Sequence, residues 1–216
     1  MKHVTLRIED LPAALAGYTI AQISDLHVGP TIGRRYVEQV VRCCNELEPH
    51  VVALTGDIVD GPVARLSDDV APLRELRSRY GSIFILGNHD CYAGAAEWIA
   101  HFKTIGMRVL LNEHWLLPHR DAKLLVGGVT DPALGRFVRD AVPRPDLAVA
   151  EHVEADLRLL QAARLGEPGQ ALIVAQGGRG EHPRPGGQGR PRRCIGRVGL
   201  GVVLVGRRRL GARPLG

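Results

Sequence analysis

Val51-Val52-Ala53-Leu54-Thr55-Gly56-Asp57 is a five-residue aliphatic and β-branched run closed by a glycine and an acid. It is too short for a helix and too continuously apolar for a half-exposed strand, so it reads as a strand buried on both faces. The same grammar recurs on either side. Upstream, Tyr18 to Ile23 leads into Ser24-Asp25-Leu26-His27. Downstream, Ser82 to Leu86 leads into Gly87-Asn88-His89-Asp90. The three polar runs lie about thirty residues apart, which leaves room for a crossover helix in each interval.

Those intervals carry helical patterns. Arg34 to Leu47 places Val37, Val40, Val41 and Cys44 on one face, and Pro49 stops it. Val63 to Tyr80 reads as a second helix containing Pro72, and Ala95 to Ile105 as a third. Val4 to Ile8 reads as an edge strand, Met107 to Leu111 and Lys123 to Val126 as further strands, His152 to Leu165 as a helix, and Leu172 to Val174 as a last strand. Strands alternating with helices predict a layered α/β fold. In such sheets ligands bind beyond the carboxyl ends of the strands, and neighbouring strands lie only about 4.8 Å apart. Loops from three of them can therefore bring Asp25, His27, Asp57, Asn88 and His89 to one place. Carboxylate, amide and imidazole donors of this kind suit divalent Mn, Fe or Zn.

At 216 residues the chain fits one domain with a sizeable core. Its 45% hydrophobic content is that of a globular protein, and the 4% aromatic content makes Val, Leu, Ile and Ala the core formers. No apolar run reaches the roughly 18–20 residues of a membrane span, and no signal-peptide pattern opens the chain. A cytoplasmic protein is expected, with Cys43, Cys44, Cys91 and Cys194 as reduced thiols.

The net charge of +5 is unevenly placed: residues 171–216 hold ten Arg, no Lys and one acid, Glu181, a charge of +9 that leaves −4 for the rest. The reading therefore divides the chain into a folded body, residues 1–175, and a Gly/Arg/Pro-rich tail, residues 176–216. The tail has little periodicity, and its composition is what GC-rich codons give when read out of frame. A frameshift near residues 175–177 is the expectation; a genuine disordered basic extension is the alternative. Without interleaved aromatics the tail is poorly suited to single-stranded nucleic acid.

Ile23-Ser24-Asp25-Leu26-His27, Leu54-Thr55-Gly56-Asp57 and Leu86-Gly87-Asn88-His89-Asp90 resemble, in order and spacing, the D-x-H, G-D and G-N-H-[DE] blocks of the calcineurin-like metallophosphoesterase superfamily. The run Gln22 to Gly29 and the later Gly127-Gly128-Val129-Thr130-Asp131 are similar to the branch related to bacterial membrane-associated phosphohydrolases. The resemblance covers roughly residues 4–175.

It implies an α/β/β/α sandwich, incomplete at the C-terminus, and a two-metal phosphohydrolase acting through a metal-bound hydroxide. Asp25 and His27 would bind one metal, Asp57 would bridge, and Asn88 would bind the second. His89 would touch the phosphate or protonate the leaving oxygen, with Asp90 orienting it. The implied substrate is a phosphorylated small molecule or lipid, with work near a membrane surface. The family's later histidines, including a Gly-His-x-His run, have no counterpart: the chain reads Gln176-Gly177-Gly178-Arg179-Gly180, and only His182 follows. The second metal site is then short of ligands and activity impaired. An inactive remnant, or an arginine-rich binder of nucleic acid or anionic surfaces, are the alternatives.

Gly33-Arg34-Arg35 is read either as a phosphate-binding helix start or as a solvated one. His101, His114 and His119 are expected at the surface or in structural roles, Trp98 and Phe102 in the core, and Asp131 in a turn.

Overall fold

In a computed structural model of the chain, residues 1, 3–5, 11–138, 170–176 and 203–205 are described. The first sheet is wholly parallel, in the order β1 (Ile20–Ile23), β2 (Val51–Thr55), β3 (Ser82–Ile85) and β4 (Arg108–Val109). Its crossovers carry α1 (Arg34–Asn45), α2 (Val63–Val70), α3 (Asn88–Tyr92) and α4 (Ala95–Thr104). A second sheet holds β5 (Glu113–His119), β6 (Ala122–Val129), β7 (Gln170–Gln176) and β8 (Val203–Val205). β5 and β6 pair as an antiparallel hairpin, β7 joins β6 in parallel, and β8 closes the order antiparallel to β7.

The continuous apolar runs of β2 and β3 are explained by the layers on both faces. Val52, Leu54, Phe84 and Leu86 point into a core shared with the helices, beside Val37, Val41, Trp98 and Phe102. Val51, Ala53, Ile83 and Ile85 point the other way, into a core shared with Leu117, Leu124 and Val126 of the hairpin. Every residue of both strands is buried. The result is the layered α/β sandwich expected, with Trp98 and Phe102 in the core at 0% exposure. The sheets meet closely at Gly128: a Cβ there would lie 2.4 Å from Leu110 Cβ and 2.7 Å from Ile85 Cγ2. No helix among the described residues is long and apolar enough to cross a membrane.

Three elements differ from the sequence reading. The helix expected over Val63–Tyr80 ends at Val70 and tightens into a 3₁₀ turn, Ala71–Glu75. Pro72 has no N–H to give to the carbonyl of Asp68, four residues back. Arg34 Nη1 donates to that carbonyl instead, at 2.8 Å. The strand read over Met107–Leu111 shrinks to Arg108–Val109. Glu113–His119 forms a strand that the sequence did not suggest, because it contains Pro118 and lacks alternation; pairing along its whole length with β6 holds it. Leu6-Arg7-Ile8 of the expected edge strand, the helix His152–Leu165, His182 and Cys194 lie outside the described residues. So does most of the tail, though β8 lies within it.

Away from the carboxyl ends of the strands, Tyr18, His50, Tyr80 and His119 form a ring cluster. Tyr18 stacks on His50 at 4.6 Å, and His119 meets His50 edge-on at 4.8 Å. His119 Nδ1 lies 2.9 Å from the Tyr80 hydroxyl, and His50 Nδ1 2.7 Å from the Thr19 hydroxyl. Burial first, then the nearby Arg79 and Arg120, lowers the pKa of both histidines, and His119 adds to the lowering at His50. A base whose folded pKa is depressed takes its proton more readily when unfolded. Stability is therefore expected to be full above the unfolded value of about 6.5 and to decline as pH falls below it. Urea midpoints at pH 7.5 and 5.5 check this. The decline should shrink in a His50→Gln/His119→Gln variant; an equal decline would mean that other groups cause it.

Candidate metal centre

The site is built where β1, β2 and β3 end. Beyond β1 and β2 the two chains continue side by side: His27 N–H donates to Asp57 O at 3.1 Å and Val28 N–H to Ile58 O at 2.9 Å, and Asp60 N–H returns to Val28 O at 2.9 Å. Between these contacts the backbone turns sharply. Asp25 (φ 55°), His27 (φ 48°) and Asp57 (φ 54°) all occupy the left-handed region. Non-glycine residues there cost of order 1–3 kcal/mol each and persist where the surroundings enforce them, typically at functional sites. Here three of the six described non-glycine residues with positive φ are expected metal ligands.

Gly56 and Gly87 permit the third loop to close on the second. A Cβ on Gly87 would stand 2.2 Å from Asp57 Oδ1 and 2.5 Å from Asp57 N, and one on Gly56 would stand 2.5 Å from Gly87 N. The close approach lets His89 N–H donate to Asp57 Oδ1 at 3.0 Å.

The expected ligands come together. One ligand atom each from Asp25, His27 and Asp57 lies within 4.8 Å of the others. A second group of the same compactness contains His27, His89 and Asp60. Asn88 is half-buried at the start of α3, the helix that opens directly after Gly87. The donor set, two carboxylates, an imidazole and an amide oxygen, fits a divalent cation of the Mn, Fe or Zn type.

Asp60 is the residue the sequence reading missed. Its Oδ1 lies 2.9 Å from His27 Nδ1 and 2.7 Å from His89 Nδ1. A carboxylate only accepts, so both Nδ1 atoms carry hydrogen, and the ring atom left for a metal or substrate is Nε2. His27 Nε2 indeed faces Asp25, with Oδ1 4.0 Å away. The signal was present in Gly56-Asp57-Ile58-Val59-Asp60-Gly61, a second acid three residues beyond the first, with a glycine flanking each.

Asp90 corrects the expectation in the other direction. It does not orient His89: its Oδ1 accepts the N–H groups of Ile58 and Val59, and its Oδ2 those of Asp57 and Gly87, at 2.8–3.1 Å. With 0% exposure it cannot reach a substrate. It is a positioning residue that ties the second loop to the third. Burial pushes its carboxyl up to about 7, against the pull of these donors and with the Asp57 charge adding to the rise. Burial also raises the pKa of Asp57, opposed by the His89 N–H and the two histidines. At His27 burial acts downward, but the Asp60 hydrogen bond and the charges of Asp60, Asp57 and Asp25 outweigh it and raise its pKa.

The start of α1 is tied to α2. Asp69 Oδ1 already accepts the Arg34 N–H at 2.9 Å, and the Arg34 guanidinium is engaged by Glu38 and the Asp68 carbonyl. Asp131 is structural, its Oδ1 accepting the Ala133 N–H at 2.7 Å to cap the 3₁₀ turn Pro132–Arg136. His119 is buried at 3% exposure in the ring cluster.

Comparison with known proteins finds metallophosphoesterases. A "Transmembrane protein with metallophosphoesterase domain" of Danio rerio is 39% identical over 112 residues, covering 51% of this chain and 26% of that protein. An uncharacterized metallophosphoesterase of Aquifex aeolicus is 34% identical over 113 residues, covering 52% and 43%. One of Campylobacter jejuni is 28% identical over 177 residues, covering 80% and 44%. The chain thus matches between about a quarter and a half of the length of these relatives. The model of the calcineurin-like phosphoesterase family matches residues 18–153, which contain every candidate ligand named above. With well over half of its residues inside that match, the chain belongs to the calcineurin-like phosphoesterases.

Proposed function

We propose that the chain is a metal-dependent phosphohydrolase that cleaves phosphate ester or pyrophosphate bonds in a phosphorylated small molecule or lipid. The observation that carries the reading is the convergence of Asp25, His27 and Asp57, each in left-handed backbone, beside His89. Asp25, His27, Asp57 and Asn88 would hold divalent metal, two ions in the full form of the site. Such metals supply an activated water near neutral pH and neutralise the phosphoryl oxygens. The chain's own residues do the rest. Asp60 fixes the tautomers of His27 and His89, so that a protonated His89 would give its Nε2 hydrogen to the leaving oxygen and end neutral, with Nδ1–H still on Asp60. Asp90 and the abutting glycines keep the loops in register. As in the sequence reading, a second metal site lacking the family's later histidines would lower the activity.

We extend the reading to place: a cytoplasmic domain working near a membrane surface. Its support is the name of the Danio rerio relative, a transmembrane protein with a metallophosphoesterase domain. The test is hydrolysis of bis-p-nitrophenyl phosphate. Turnover is expected with added Mn, is abolished by EDTA, and falls about 10²-fold or more in His89→Ala, the range of a lost general acid. A chain folded by circular dichroism with no Mn-dependent turnover would instead be an inactive remnant.

A further inference from the structure

Among the described residues two aromatic side chains are exposed, Tyr92 at 53% and Phe137 at 55%. They are neighbours, with ring centroids 6.0 Å apart in an edge-on arrangement at 67°. Val138, exposed at 43%, follows directly. Exposed apolar residues scattered singly need no explanation, but a cluster at the rim of a site does.

This cluster continues from the centre. The His27 and His89 rings lie 4.6 Å apart, and the Tyr92 ring lies 6.1 Å from that of His89. Tyr92 stands four residues after Asn88 on α3, so the two share a helix face. Its support is firm: α3 begins at the Asp90-bound Gly87 and is packed through buried Cys91. Phe137 follows the 3₁₀ turn Pro132–Arg136, which Asp131 caps and which Ala133 and Leu134 anchor in the core. Two rings held on rigid elements, with open surface and a metal-ligating cluster at one end, have the form of a stacking platform.

We infer that Tyr92 and Phe137 form an aromatic wall that binds a planar aromatic group attached to the phosphate, an aryl or a nucleobase, and so select such esters over small aliphatic ones. The inference rests on the phosphohydrolase reading for the position of the phosphate. It is tested by binding, which does not require turnover. Isothermal titration of the Mn-loaded full chain would compare inorganic phosphate, phenyl phosphate, AMP and octyl phosphate.

The aromatic esters are expected to bind about tenfold more tightly than inorganic phosphate, the scale of one stacking contact. Tyr92→Ala and Phe137→Ala should each erode that advantage while inorganic phosphate binds as before. Preference for AMP over phenyl phosphate would identify a nucleobase; the reverse would identify an aryl group. Equal affinities, an advantage that survives both substitutions, octyl phosphate binding best, or no binding of the aromatic esters would each overturn the wall. Hydrolysis by the same preparation reports separately on the metal-centre reading: a binding preference without Mn-dependent turnover sinks that reading and keeps the wall.

Discussion

Asp90→Ala is expected to cost about 4 kcal/mol or more, enough to bring a domain of ordinary stability, about 5–15 kcal/mol, close to unfolding. Four buried backbone N–H groups, those of Asp57, Ile58, Val59 and Gly87, end on this one carboxylate. A buried donor left without a partner costs about 1–3 kcal/mol. The alanine leaves four such donors around a cavity, and water entering it can satisfy only some of them. The damage should also spread, because these donors belong to the loops that carry Asp57 and His89. Urea denaturation checks the stability and Mn titration the site. Asp90→Asn keeps one acceptor oxygen but turns an amide N–H₂ toward two of the donors, so it should fall between wild type and alanine. An alanine variant within about 1 kcal/mol of wild type would mean that the four bonds are not what holds the loops together.

The contrast between Asp90 and Asp60 shows where sequence reasoning reached its limit. The resemblance carried by Gly87-Asn88-His89-Asp90 implied that Asp90 serves His89. In a loop that is reasonable, but these residues open a helix, and neighbours in a helix do not face each other. Asp90 therefore points into the protein while the His89 ring turns outward to Asp60, which arrives from the preceding strand's loop. The candidate ligands were legible because each follows a strand end, where one short apolar run fixes its place. The parallel sheet was legible for the same reason. β5 was not, since a strand containing Pro118 is made by its pairing with β6 rather than by its own pattern. The Asp69 carboxylate at the start of α1 was equally hidden, because it is thirty-five residues away from the Arg34 N–H it accepts. Tyr92 and Phe137 lie far apart in sequence, and only the packing of α3 against the 3₁₀ turn makes them one surface.

Asp57→Asn should separate binding from folding in a way that Asp90→Ala cannot. Asp57 is 2% exposed, and it shares the site with the carboxylates of Asp25 and Asp60. Without metal these like charges oppose one another, and burial of Asp57 adds a desolvation cost. Asparagine is nearly the same shape, accepts the left-handed backbone at φ 54° as readily as aspartate, and keeps an oxygen for the His89 N–H. The metal-free variant is therefore expected to be as stable as wild type or more so, by up to about 1–2 kcal/mol, while Mn affinity falls by more than the roughly 10–100-fold typical of residues that only support a ligand. Chemical denaturation in EDTA and Mn titration of the same preparations would read the two effects. That divergence, stability kept and metal lost, is what a residue held in strained backbone for its chemistry should show. If stability and Mn affinity fell together, Asp57 would be a structural acid like Asp90, and the centre would have to be rebuilt around Asp25, His27 and Asp60.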